Sequence, residues 1–419
     1  MERIIKRELM QFLERHHLLS EAQHGFRRGR SCLTNLLYCL ERWTRAVDEG
    51  NVVHAVYIDF KKAFDSVPHQ RLLYKLNRIG VRGKLLKWIE NFLIGRSQIV
   101  RLGDQQSAEV AVESGVPQGS VLGPILFLIY IDDCVSGLDC DTAMFADDIK
   151  LWKVIHNADD EENLQANLHR LEEWSHNWLL PFNATKCNIL RFGRTSSGHQ
   201  RIYYLDDTPL PEVEAQKDLG VWITPTLKPS FHCSKVAKSA MSSLYLIKRA
   251  FAKFDKECFN KVFGMFVRPQ LEFAIQAWRP WSVKDHNTLE KVQRRATKLV
   301  QGQSCLPYET RLSNLDLFPL DYRQLRGDLI QAFRMLRLQD CCLASGDFFE
   351  LATTTTLRGH PIKLRVTGAR LDTRRFFFSN RVIKAWNALP ADIIMSPSVD
   401  TFKRKFDQYS HKYHHDIRT

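Results

Sequence analysis

The 419-residue sequence has ten cysteines but no Cys-x-x-Cys pair and no Cys/His array at zinc-knuckle spacing. Cys341 and Cys342 are adjacent and badly placed to grip one metal together. The thiols therefore read as reduced, mostly buried side chains of an intracellular protein rather than a disulfide framework. No apolar run reaches the ~20 residues of a membrane-spanning helix, and the longest, Val121 to Ile131, follows a glycine turn. The start, Met1-Glu2-Arg3-Ile4-Ile5-Lys6-Arg7-Glu8, has no apolar signal core. No internal repeat or extended low-complexity tract occurs, and no strong basic import cluster favours the nucleus over the cytoplasm. The glycines at 115, 119 and 123 are not followed by Gly-Lys-Ser/Thr, which excludes a P-loop. What is present is a 44% hydrophobic composition, enough for a sizeable core and roughly two to four structural units. There are 60 Lys plus Arg against 47 Asp plus Glu, a net charge of +13, and this balance favours a polyanionic partner.

The tetrad Phe145-Ala146-Asp147-Asp148 lies between an apolar approach, Thr142-Ala143-Met144, and an apolar exit, Ile149-Lys150-Leu151-Trp152. The pattern predicts two strands with a tight turn at Asp147-Asp148. Adjacent carboxylates repel, and a divalent cation relieves them; on its own, though, the dipeptide reads more readily as the turn of an ordinary hairpin. A second acid changes the balance. Asp59 ends the run Val52-Val53-His54-Ala55-Val56-Tyr57-Ile58, whose β-branched and aromatic content predicts a buried strand. A lone Asp there serves equally as a helix cap. Two strand-borne carboxylate sites, one single and one double, are the minimum for holding two hard cations about 3.5–4 Å apart during in-line phosphoryl transfer.

Three longer stretches carry a resemblance. Val56-Tyr57-Ile58-Asp59-Phe60-Lys61-Lys62-Ala63-Phe64-Asp65-Ser66-Val67, then Ser114-Gly115-Val116-Pro117-Gln118-Gly119-Ser120-Val121-Leu122-Gly123-Pro124, then Phe145-Ala146-Asp147-Asp148 resemble motifs A, B and C of reverse transcriptases. Their wording is similar to the non-long-terminal-repeat retrotransposon branch, the jockey-like and chicken-repeat-like elements. The resemblance implies an α+β palm-fingers-thumb polymerase fold with an antiparallel palm sheet and a helical thumb. It implies RNA-templated DNA synthesis from a DNA primer and deoxynucleoside triphosphates, with two Mg²⁺ ions held by Asp59, Asp147 and Asp148. It places Phe60, Phe64, Gln118 and Gly119 at the nucleotide, with Phe64 crowding a 2′-hydroxyl, and makes Lys186, at the motif D position, a proton donor to the leaving pyrophosphate. Without the match Lys186 is a solvated turn lysine. An RNA-synthesising palm polymerase is disfavoured by the bulk of Phe64 and by Phe-Ala-Asp-Asp in place of Gly-Asp-Asp.

The rest of the chain divides accordingly: fingers and palm over 1–195, a primer-grip-like hairpin over 196–230, a basic helical thumb over 231–330 and a basic, aromatic segment over 331–419. Helices are predicted over 2–18, from Cys32 to Val47, His69 to Ile79, Ser120 to Ile131 and Asn163 to Trp178, and a loop at Ser196-Ser197-Gly198. The loop Gln23-His24-Gly25-Phe26-Arg27-Arg28-Gly29-Arg30-Ser31 offers Arg27, Arg28 and Arg30 to a phosphate backbone; as a bare charge run it is solvated surface. Residues 231–330 hold 17 Lys plus Arg against 9 Asp plus Glu, and Lys235, Lys238, Lys248, Arg249, Arg294 and Arg295 are the candidate duplex contacts. In the last segment Trp386 suits the core of a small folded unit as well as it suits base stacking. Family members carry an upstream strand whose arginine approaches the triphosphate, and the sequence begins after that point. The expectation is a fragment that binds RNA but synthesises DNA poorly, with a non-catalytic RNA-binding remnant as the alternative.

Overall fold

The computed structural model describes residues 1–193, 201–251, 254–352 and 359–412; the loop expected at Ser196-Ser197-Gly198 lies outside them. The chain divides into two units, Met1–Asn35 with Asn51–Val213, and Leu36–Gly50 with Glu214–Thr419. The fold is α+β, as the sequence implies.

The first unit is built on a four-stranded antiparallel sheet in the order Asp141–Phe145, Asp148–Ile155, Val52–Ile58, Asn188–Phe192. The central strand Val52–Ile58 is paired on both sides, so that Val56 faces Leu151 on one neighbour and Ile189 on the other. It is buried from Val53 to Ile58, which is why its sequence is continuously apolar rather than alternating. The helix Gly123–Ile131 has no polar face and is buried along its whole length apart from the proline in its first turn. Glu2 supplies this helix with a cap from another helix, Glu2–Arg15, by accepting the Val121 and Leu122 N–H groups at 2.8 and 2.9 Å. The helix expected from Asn163 begins at Ala158, because its first turn carries Asp159, Asp160 and Glu161 and is capped by Asn157. Acids favour a helix N-terminus without any apolar periodicity to announce it.

Residues 96–112 form a nested ribbon, with Arg96–Gln98 paired to Val110–Val112 and Arg101–Leu102 paired to Gln105–Gln106. One sequence expectation needs correction. Residues 203–223 do not form one primer-grip hairpin. Tyr204–Leu205 pairs with Thr208–Pro209, and Gln216–Asp218 pairs with Val221–Ile223. Each ribbon closes on a two-residue turn with positive φ at both positions, Asp206 and Asp207 in the first, Leu219 and Gly220 in the second. Such turns close a hairpin locally, so neither strand has to reach the other ribbon.

The second unit is mostly helical. Ser230–Ala250 packs against Val283–Thr297, and Lys256–Val262 continues through a π-turn over Phe263–Val267 into Arg268–Glu272. The sequence division between 231–330 and 331–419 is not a structural one. Asp328, fully buried on the helix Leu320–Leu336, binds Arg279 at 2.9 Å and Arg381 of the helix Phe378–Ala388 at 2.8 and 2.9 Å. Trp386 is core, as the folded-unit reading expects, and donates to the Ile362 carbonyl. Four of the ten cysteines are buried and Cys305 is exposed, so the set is less buried than expected. Among the described residues no helix is long and apolar enough to cross a membrane.

Candidate active site

The strand Val52–Ile58 delivers Asp59 to the end of the sheet, and the hairpin beside it delivers Asp147 and Asp148. Because Ile58 pairs with Ile149, one further step along the register sets Asp59 across from Asp148. The hairpin turn is Ala146-Asp147, one residue earlier than the sequence suggests, since Asp148 already pairs with Phe145. Ala146 has φ +56°, a left-handed conformation that costs a residue with a Cβ about 1 kcal/mol or more.

Burial holds the Asp147 carboxyl above the usual carboxylate range; its own backbone N–H works against this, and the negative charge of Asp59 adds to it. Asp59 Oδ2 is buried and accepts no hydrogen bond, while Lys186 Nζ stands 3.8 Å from it on a largely exposed side chain. A buried oxygen without a donor beside a second, repelling carboxylate is a site chemically suited to a hard divalent cation. Among the described residues, no three His, Cys, Asp or Glu side chains converge to enclose a metal ion. The three-aspartate cage expected from sequence is therefore not preassembled. Mg²⁺ characteristically takes one or two carboxylates, keeps several waters and completes its shell with substrate phosphates, so the Asp59/Asp147 pair fits its needs.

The glycine-rich stretch is tied to the segment after Asp59. Gly115 N–H donates to the Val67 carbonyl and Val116 N–H to the Phe64 carbonyl, both at 2.8 Å. Gln118 Nε2 donates to Asp65 Oδ1 at 2.8 Å on an exposed surface. Gly119 is exposed with φ +81° and open space around it. Phe64 is half-buried, its ring stacked on Phe127 with centroids 4.0 Å apart. Phe60 needs correction as a nucleotide contact: its side chain is buried against Phe182 and Trp174, because neighbours along an extended chain point to opposite faces and Asp59 takes the open one. Cys187, which the sequence did not single out, receives the Asp59 N–H on its sulfur at 3.3 Å; only its place next to Lys186 hinted at this.

The arginine loop differs most from expectation. Arg27 is buried, forms a two-pronged ion pair with Glu14 at 2.8 and 2.9 Å and donates to the Ser20 carbonyl. Arg30 is paired with Glu21. Neither guanidinium faces solvent, so these two are corrected from phosphate contacts to structural residues; Arg28 is exposed.

In the second unit the six named cations are exposed. Lys238, Lys248 and Arg295 line one groove of about 640 Å³ together with Met241 and Tyr245, and Arg249 lies over the Tyr245 ring. Lys235 sits over Trp222 and Phe231, and Arg294 over Tyr308.

The chain belongs to the reverse transcriptase (RNA-dependent DNA polymerase) family, whose model matches residues 1–223. It is a jockey-like member. The probable RNA-directed DNA polymerase from transposon X-element of Drosophila melanogaster is 25% identical over 72% of this chain and 34% of its own length. The RNA-directed DNA polymerase from mobile element jockey of Drosophila funebris is 26% identical over 75% of this chain and 35% of its own. The chain thus spans about a third of the length of these curated relatives. The solved structure of apo telomerase from Candida tropicalis is similar at 11% identity and a TM-score of 0.43, over 78% of this chain and 52% of that one. Members of this family use divalent metal ions.

Proposed function

We propose that this chain carries out RNA-templated DNA synthesis by two-metal nucleotidyl transfer, as the polymerase part of a longer retrotransposon protein. The observation that carries the reading is the meeting of Asp59 and Asp147 at the end of one sheet, with a buried oxygen lacking a donor. Asp59 and Asp147, with Asp148 assisting, would hold two Mg²⁺ ions, which activate a primer 3′-hydroxyl and neutralise the triphosphate. Lys186, on a largely exposed side chain within ion-pair reach of Asp59, would give a proton to the leaving pyrophosphate. Phe64 and Gln118 flank the nucleotide, and Gln118 exchanges its bond to Asp65 for contacts with template or substrate. The sheet unit is the palm with part of the fingers, the helical unit is the thumb, and RNA template, DNA primer and deoxynucleoside triphosphates are the partners.

The engagement of Arg27 and Arg30 by Glu14 and Glu21 favours weak synthesis, since a triphosphate needs fixed cations besides metal and a missing one commonly costs on the order of 10²–10³ in rate. RNA binding without synthesis is the second reading, on the same observation. The deciding experiment is single-nucleotide extension of a radiolabelled DNA primer on an RNA template with Mg²⁺. Slow incorporation that Asp59→Asn and Asp147→Asn abolish is expected. Binding of the primer and template with no aspartate-dependent incorporation selects the second reading.

A further inference from the structure

The segment Gln23 to Arg27 opens the stretch Gln23 to Ser31 that reads in sequence as an arginine loop for phosphate. In the structure it runs along the outer edge of the Asp147 hairpin. Gln23 bridges Met144 in parallel register, Met144 N–H donates to the Ala22 carbonyl, and His24 N–H donates to the Met144 carbonyl, both at 2.8 Å. The side chain of Gln23 is fully buried and turns onto the hairpin tip. Its Oε1 accepts the Ala146 N–H at 2.9 Å and the Gly25 N–H at 2.7 Å, and its Nε2 donates to the Ala146 carbonyl at 3.4 Å.

Those contacts fall on the two peptide planes that flank the Ala146 Cα. Fixing both planes fixes φ and ψ at that residue, and with them the direction in which Asp147 leaves the turn. The turn needs such help. Two-residue hairpin turns with a positive φ are dominated by Gly, Asn and Asp, and Ala146, at φ +56°, has no side-chain oxygen with which to stabilise itself. Gly25 completes the fit, since a Cβ there would lie 2.5 Å from the Ala146 nitrogen. The engaged Arg27 holds the strap from behind, with its guanidinium on the Ser20 carbonyl and on Glu14.

We propose that Gln23 is a positioning residue for the catalytic turn: by clamping both peptides of Ala146 it sets the conformation in which Asp147 presents its carboxylate to metal. The assignment rests on Asp147 being a metal ligand, but the clamp itself is separable from that reading. It also reassigns the Gln23 to Arg27 stretch from substrate contact to brace.

The test uses the full chain with Gln23→Leu, which keeps side-chain bulk but has no amide, and Gln23→Glu, which keeps the acceptor and, when protonated, the donor. Two quantities are read: the hydrogen-exchange rate of the Ala146 amide relative to those of Ile149 and Leu151, and Mn²⁺ affinity by electron paramagnetic resonance, with Asp147→Asn defining the site. Gln23→Leu is expected to speed Ala146 exchange at least tenfold while Ile149 and Leu151 stay within twofold, and to weaken the Asp147-dependent Mn²⁺ site about tenfold; Gln23→Glu should remain near wild type in both. Unchanged Ala146 exchange in Gln23→Leu overturns the proposal. So does an equal rise at all three amides, which identifies Gln23 as a packing residue, and so does faster Ala146 exchange with unchanged Mn²⁺ affinity. If the wild-type chain has no Asp147-dependent Mn²⁺ site, the metal reading falls, and the exchange arm alone still upholds or overturns the clamp.

Discussion

Arg374 and Glu41, 333 positions apart in the chain, form a buried ion pair with Nη2 2.6 Å from Oε1. Ser379 Oγ donates to the other carboxylate oxygen at 2.7 Å, and Arg45 adds a second cation. Arg374 belongs to the Arg374-Arg375-Phe376 stretch, whose charge and aromatics suit nucleic acid and a small folded unit equally. Its burial assigns it to the fold. Arg374→Met should destabilise the second unit by about 3–5 kcal/mol, because Glu41 is left charged and poorly paired in the interior, whereas Glu41→Leu with Arg374→Met should recover most of that loss. Urea denaturation of the single and double variants measures both. A double variant as unstable as the single one would mean that the pair is not the source of the effect.

Phe64 stacks on Phe127 and is only half-buried, so one part of the ring remains available to a substrate sugar. Phe64→Val should raise ribonucleotide incorporation relative to deoxynucleotide by about a hundredfold, equivalent to about 2.7 kcal/mol of transition-state free energy. The ratio of kcat/KM values for matched ribo- and deoxynucleotides reads it directly. An unchanged ratio with lower thermal stability would reduce Phe64 to a packing residue.

Asp132 is held at a pKa of about 6 by burial, against the pull of the Ser20 N–H and of Arg27. An unfolded aspartate titrates near ~3.9, so between about pH 4 and pH 6 the folded chain keeps a proton that the unfolded chain releases. Stability contributed by this group is present below that window and falls as pH rises through it, by on the order of 2–3 kcal/mol in all. Asp132→Asn keeps an acceptor for Ser20 without the charge. Its stability advantage over wild type should therefore be larger at pH 7 than at pH 4, as compared by denaturant midpoints. An advantage that does not change with pH would show that Asp132 ionises without penalty.

The groove lined by Lys238, Lys248 and Arg295, with Arg249 over Tyr245 at its wall, should make duplex binding strongly salt-dependent. If these and the neighbouring cations neutralise about five phosphates, log affinity for an RNA/DNA duplex falls against log salt with a slope of about −4 to −5. Charge-removing changes at Lys238 and Lys248 should each reduce that slope by about one. A slope near zero removes the thumb assignment.

The parts of the site that were legible in sequence are those whose signal is local. Val52 to Ile58 announces a buried strand by composition alone, and Asp59 and Asp147-Asp148 interrupt apolar runs in a way that few packing schemes tolerate. The expectations that the structure overturns are those whose deciding partner is remote in sequence. Arg27 looked free for phosphate because nothing nearby in sequence shows that Glu14, one helix earlier, would take it. Phe60 looked like a site residue because the motif contains it, while strand alternation sends it inward. In sequence the two short ribbons at 204–209 and 216–223 run together as one, because their turns at Asp206-Asp207 and Leu219-Gly220 lack the Asn-Gly or Asp-Gly signature of a two-residue hairpin. The joining of 331–419 to the helices before it depends on Asp328, whose two arginine partners lie 49 and 53 positions away.

The second unit draws residues 36–50 from near the start of the chain and the rest from beyond residue 213. On a ribosome those pieces emerge far apart in time. At about 5–20 residues per second, the 333 positions between Glu41 and Arg374 take roughly 15–70 seconds to synthesise. During that interval Leu36, Leu37, Leu40 and Trp43, all buried in the finished protein, wait without the segments that will cover them, and Glu41 waits without its arginine. Production of this chain is therefore exposed to the rate of elongation in a way that its folded stability does not reveal. Slowed translation should increase dependence on chaperones that shield that one early helix.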